Sequence, residues 1–77
     1  MEISVIELEN GETAKIVRLE GGEGFQRKLR TIGIREGKAV KLLAKYPFGG
    51  PVVVEIMDRE TTLGRGMARK IIVEKKE

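Results

Sequence analysis

The side chains that most often do chemistry are scarce in this 77-residue sequence, which has neither histidine nor cysteine. Without them the usual nucleophile–base pairs cannot be assembled, and the nitrogen and sulfur ligands that transition metals prefer are missing. Ser4 is the single serine and sits close to the first residue; Asp58 is the single aspartate. With Glu55 and Glu60 it makes a short acidic cluster whose carboxylate oxygens could meet a hard cation, but a solvated turn has the same composition. Two glycine-rich stretches, GGEG at 21–24 and GRG at 64–66, invite a phosphate-cradle reading. Neither has the G-x-x-x-x-G-K-[ST] or the G-x-G-x-x-G spacing, and Glu23 places negative charge where an anion would sit. Turn formation explains both better. No catalytic residue, cofactor or metal site is assigned.

The basic residues are more informative. Net charge is +3, but it is unevenly spread. Residues 1–23 carry six acids and two bases, whereas residues 24–50 carry seven bases and the single acid Glu36. Such asymmetry can mark a partner-facing surface, unless folding interleaves the two halves and cancels the field. A small basic nucleic-acid-binding barrel is one class consistent with it. Stacking platforms for bases would then be needed, and only Phe25, Tyr46 and Phe48 are aromatic. Nucleic acid is therefore not the expected partner. The absence of cysteine and of any run near the ~18 apolar residues of a membrane span points to a soluble, cytoplasmic domain with no direct membrane insertion. The start MEISVIELEN also lacks the basic opening of a signal peptide.

These side chains must be carried by short elements. Residues 1–77 read as one domain, with a short apolar N-terminal segment closing one end of the core. Strands are expected over 12–20, 38–46, 52–57, 61–63 and 69–74. In the first of these, Ala14 and Ile16 share a face while Val17 and Leu19 hint at a bulge. The helix is expected over 24–32, with Phe25, Leu29 and Ile32 on one face. Gly33 suits the left-handed residue that ends it and brings Ile34 against Leu29. About five antiparallel strands with one short helix inserted after the first suggest a mainly β fold, a small, strongly bent barrel.

Two features of this scheme bear on binding. The stretch YPFGGPVVV (46–54) joins two strands whose core residues all carry even numbers, so paired positions should sum to an even value. That leaves a loop of three or five residues. The three-residue loop Pro47–Gly49 suits turn chemistry better, with Gly49 left-handed, and pairs Lys41 with Glu55 and Leu43 with Val53. Phe48 then stands at the tip, either folded back over the barrel end or presented to a partner. In addition Leu43, Val53, Met57 and Ile72 point away from the assigned core, and such a face marks an interface unless the helix or N-terminal segment covers it. Candidate partner-binding residues are therefore Phe48, Leu43, Val53, Met57 and Ile72, with Arg27 and Arg30 of the basic helix.

Taken in order, these segments resemble the FeoA family of ferrous-iron transport. The likeness runs from about Val5 to Glu74 and begins with a G-G-x-G…L-x-x-(L/I)-G-(I/L)-x-x-G pattern. This falls on Gly21, Gly22, Gly24, Leu29, Ile32, Gly33, Ile34 and Gly37. It continues through PFGGPVVVEI and LGRGMARKIIV, where Leu63, Ala68 and Ile71 fit the family's closing segment. A related domain ends metalloregulators of the diphtheria-toxin-repressor type. The resemblance implies an SH3-like barrel and a non-enzymatic accessory role, by contact with the cytosolic part of the FeoB membrane transporter, which would recruit it to the membrane's inner face. A weak homo-oligomer is also compatible. A stand-alone SH3-like regulatory or peptide-binding domain of the repressor type is the alternative. Gly64 and Gly66 depart from the family pattern and argue against a stable helical turn over 65–69.

Overall fold

The computed structural model describes residues 1–75. In chain order it contains β1 (Glu2–Ser4), a single 3-10 turn (Val5–Glu7), β2 (Thr13–Leu19), α1 (Glu23–Thr31) and β3 (Ala39–Lys45). There follow β4 (Val52–Ile56), β5 (Arg59–Leu63), α2 (Arg65–Ala68) and β6 (Ile71–Glu74). One antiparallel sheet holds all six strands in the order β1-β6-β2-β3-β4-β5. The mainly β, SH3-like class expected from the sequence holds. The small, bent sheet has six strands rather than about five and is open: β1 and β5 are free edges, with no ladder between them among the described residues. The sixth strand is β1, which sets Ile3 opposite Val73.

Strand pattern and core agree. Ala14 and Ile16 are buried on β2, and the β2–β6 register shifts between Ile16 and Arg18, so that Leu19 also turns inward. The core is wholly aliphatic, with no polar side chain buried among the described residues. Ser4, the lone serine, is a structural clip. Its hydroxyl accepts from Ile6 N–H at 3.3 Å and donates to the Ala68 carbonyl at 3.0 Å.

Helix α1 contributes mainly Leu29, which is fully buried, and a half-buried Phe25 under the Lys70 ammonium, 4.7 Å from the ring centre. Gly21 permits this arrangement. Its φ is +103°, and a Cβ there would stand 3.0 Å from the Phe25 ring. The helix ends in the expected Schellman motif, with Gly33 at φ +93°. Ile34 N–H donates to Leu29 O at 3.0 Å and Gly33 N–H to Arg30 O at 3.1 Å. Ile32, expected on the buried face, is instead 47 % exposed. Having left the helix at φ −93° and ψ 12°, it is turned out while Ile34 is fully buried.

The hairpin departs from the parity expectation. Lys41 pairs with Glu55 as anticipated, but the register then shifts and Ala44, not Leu43, faces Val53. A bulge at Leu43 changes the parity, and the loop becomes four residues. Tyr46 N–H bonds to Pro51 O at 3.0 Å, and Gly50 N–H to Pro47 O at 3.1 Å. Phe48 (φ 61°) and Gly49 (φ 72°) are both left-handed, where only Gly49 was expected to be. At the other end of β4, Met57 (φ 51°) and Asp58 (φ 62°) make a two-residue connection, and β5 starts at Arg59 rather than Thr61. The helical turn that the two glycines argued against does form. Gly64 caps α2, and Ala68 N–H and Arg69 N–H reach Gly64 O and Arg65 O at 3.0 and 2.9 Å.

Candidate interaction surface

The seven residues singled out from the sequence do not form one patch. Phe48 is entirely exposed and does not fold back over the sheet. Leu43 and Val53 are half-buried on the strand positions between the core residues. Met57 is 63 % exposed, at the opposite end of β4 from Phe48. Ile72 stands outside the core cluster but is only 8 % exposed, between Ser4 on one side and Arg18 on the other, so it is not an accessible contact. Arg27 is solvated and makes a loose i,i+4 pair with Glu23 at 3.5 Å. Arg30 is spoken for. Its Nη2 donates to Glu36 at 2.9 Å and to Gln26 at 3.1 Å, tying the helix to the loop that follows. The hydrogen bond from Arg30 holds the Glu36 carboxyl below the ordinary carboxylate range and raises the guanidinium above its own.

Two regions emerge instead. The first is the loop 47–50. It is held by Arg65, whose Nε donates to Gly50 O and whose Nη2 donates to Tyr46 O, each at 2.8 Å. The first turn of α2 aims the guanidinium back at the hairpin, and the two carbonyls occupy its fork. Gly50 suits the junction, since a Cβ would lie 3.1 Å from both Pro47 O and the Tyr46 Cβ, closer than side chains ordinarily pack. A half-exposed Tyr46 flanks the tip.

The second region is a groove of about 890 Å³ between the end of α1 and the β4–β5 turn. Ile32, Met57 and Ile56 supply apolar lining, and Arg30, Arg35, Lys38 and Arg59 supply positive charge against Glu60. Sequence reasoning did not single out Ile32, Arg35, Lys38 or Arg59. The clustering of bases in residues 24–50 signalled two of them, but Arg59 reaches the groove only through the sheet. Four of the six acids of residues 1–23 are paired with bases outside the groove. Glu2 and Glu20 pair with Arg18, Glu12 with Lys75 and Glu23 with Arg27. The acidic trio Glu55, Asp58 and Glu60 does not converge as a metal-ligating group, and no such group occurs among the described residues.

Fold and surface define a small SH3-like β domain whose exposed large apolar residues, Met1 apart, stand on or beside turns. The comparisons with known proteins give the family. A model described as the FeoA domain matches residues 3–75, and the chain belongs to that family. A Fe(2+) transport protein A/Fe(2+) transporter FeoB fusion protein of Porphyromonas gingivalis is 38 % identical over 88 % of this chain. This chain spans only 8 % of that fusion's length. A putative Fe(2+) transport protein A of Methanocaldococcus jannaschii is 31 % identical over 87 % of this chain and 79 % of its own. Among solved structures, an iron uptake regulatory protein (FeoA) superposes with a TM-score of 0.86 at 25 % identity, over 95 % of this chain and 96 % of the other. The repressor relation is also visible. A manganese-dependent transcriptional repressor gives 0.84 at 25 % identity over 94 % of this chain and 40 % of its own.

Proposed function

We propose that this chain is a non-enzymatic accessory protein of ferrous-iron uptake that acts by contact with the cytosolic part of a FeoB-type transporter. The observation that carries this reading is the Porphyromonas gingivalis fusion, in which a homologous segment and FeoB are one polypeptide. Covalent joining keeps two parts at high effective concentration, which is useful when they work on each other. No helix among the described residues is long and apolar enough to cross a membrane, so the transporter would supply the membrane attachment. The Phe48 loop suits the contact. A large apolar side chain held clear of the fold by a clamped turn has its ordering cost already met, and inserts into a partner pocket as an anchor.

The test is capture of the detergent-solubilised cognate transporter by the immobilised chain, together with ferrous-iron uptake in cells lacking the chain. Wild type should capture the transporter and restore uptake. Phe48→Ala should weaken capture about tenfold or more with the melting temperature unchanged or raised. Failure of wild type in both assays sinks the proposal. The repressor-type alternative draws on the structural likeness and predicts a different gene neighbour, a DNA-binding half in place of a transporter. Weak self-association through Leu43 and Val53 would show as a mass in sedimentation that falls to the monomer value on changing both to Ser.

A further inference from the structure

The groove between α1 and the β4–β5 turn is separate from the Phe48 loop and carries a recognition chemistry of its own. Ile32 and Met57 are the large apolar residues exposed there, at 47 % and 63 %. Around them stand Arg35, Lys38 and Arg59, whose side chains make no ion pair among the described residues, whereas Arg30 is occupied by Glu36. One wall is β5, the last strand of the sheet, whose outer edge is unpaired among the described residues. An edge strand turns every second N–H and C=O outward, ready for an extended segment.

From this juxtaposition we propose that the groove docks an extended acidic segment of a partner protein, pairing its backbone with β5 and seating an apolar side chain between Ile32 and Met57. Its carboxylates meet Arg35, Lys38 and Arg59. Charge complementarity chooses an acidic occupant, and the lining chooses a peptide over a nucleic acid. No aromatic side chain lines the groove to stack a base, and Glu60 would repel a continuous polyanion. The inference rests on the reading that the chain works by protein contact, and it adds the chemistry of the partner segment.

The probe is a short fluorescein-labelled peptide with leucines set among glutamates, titrated by anisotropy at low salt. The same peptide with glutamine for glutamate is one control, and a single-stranded oligonucleotide of equal charge is the other. The acidic peptide should bind, and the glutamine peptide should bind at least about tenfold more weakly. Arg35→Glu with Arg59→Glu should cost a similar factor. Lys15→Glu with Lys28→Glu, the same charge change outside the groove, should cost less than about twofold. Ile32→Ser should weaken binding without altering the melting curve. The proposal is overturned if the peptide does not bind, if both charge reversals weaken it equally, or if the oligonucleotide binds more tightly and displaces it. Transporter capture with the same variants separates the two claims. Capture without peptide binding removes the groove proposal alone; peptide binding without capture removes the transporter alone.

Discussion

The two ends of β4 use the same backbone device for different chemistry. At each end the chain reverses through two consecutive left-handed residues, and at each end the first of them is a large apolar side chain, Phe48 or Met57. Non-glycine residues seldom adopt that conformation, and each such placement costs roughly 1–2 kcal/mol. The difference lies in the surroundings. The Phe48 turn follows a bulge and is clamped by Arg65 onto two backbone carbonyls. The Met57 turn closes a ladder without a register shift and opens on a groove rich in positive charge. One tip is an exposed aromatic on a clamped loop; the other is one lip of a charged groove.

The clamp offers the sharpest way to break this comparison. Arg65→Ala removes two charge-assisted hydrogen bonds, and the expected loss is about 2 kcal/mol, a fall of roughly 10 °C in melting temperature for a domain of this size. Hydrogen exchange should quicken more at the Tyr46 and Gly50 amides than at Arg59 and Thr61. Uniform acceleration across both turns would mean that Arg65 supports the whole sheet rather than one loop.

Relief of backbone strain comes next in size. Asn tolerates the left-handed region, so Phe48→Asn should stabilise the fold by about 0.5–1 kcal/mol, read by urea denaturation. No packing is lost, because the ring is entirely exposed. Met57→Asn should gain less, since Met57 gives up its contacts in the groove wall. A destabilised Phe48→Asn would show that the ring packs on the fold and is no free anchor.

The smallest expected effect concerns pH. Glu36 has its carboxyl lowered by Arg30, so its contribution is present above the ordinary carboxylate range and disappears as pH falls through the lowered value. Melting temperatures of wild type and Glu36→Gln should therefore differ slightly near neutrality and converge in acid. The Phe48 loop should show no counterpart, because Arg65 binds carbonyls that do not titrate. A difference that persists in acid would remove the ion pair as its cause.

Several elements were legible in the residues themselves. The bulge in β2 could be read from apolar residues at 16, 17 and 19, and the helix end from Gly33 followed by Ile34. The hairpin was not. Its parity argument assumed an uninterrupted ladder, and nothing about Leu43 in the sequence marks it as the bulged residue. Ile32 misled for a related reason: helical spacing placed it inward, but the Schellman turn reserves that contact for Ile34. The candidate site was legible only in part. Phe48 stood out by its setting between prolines and glycines, whereas Ile72 was wrongly expected to be accessible.

What the sequence determined by itself was local and chemical: strand and helix periodicity, the glycines of the turns, and a composition with neither histidine nor cysteine. It also carried the order of motifs that belongs to the FeoA domain family. The tertiary structure alone decided which bases share a cleft, which apolar residues stay exposed, and that Arg65 serves a loop 15 residues away. The physical reason is that periodicity and turn propensity act between near neighbours. Ladder register and the convergence of distant charges depend instead on how the whole sheet twists and bends around its core.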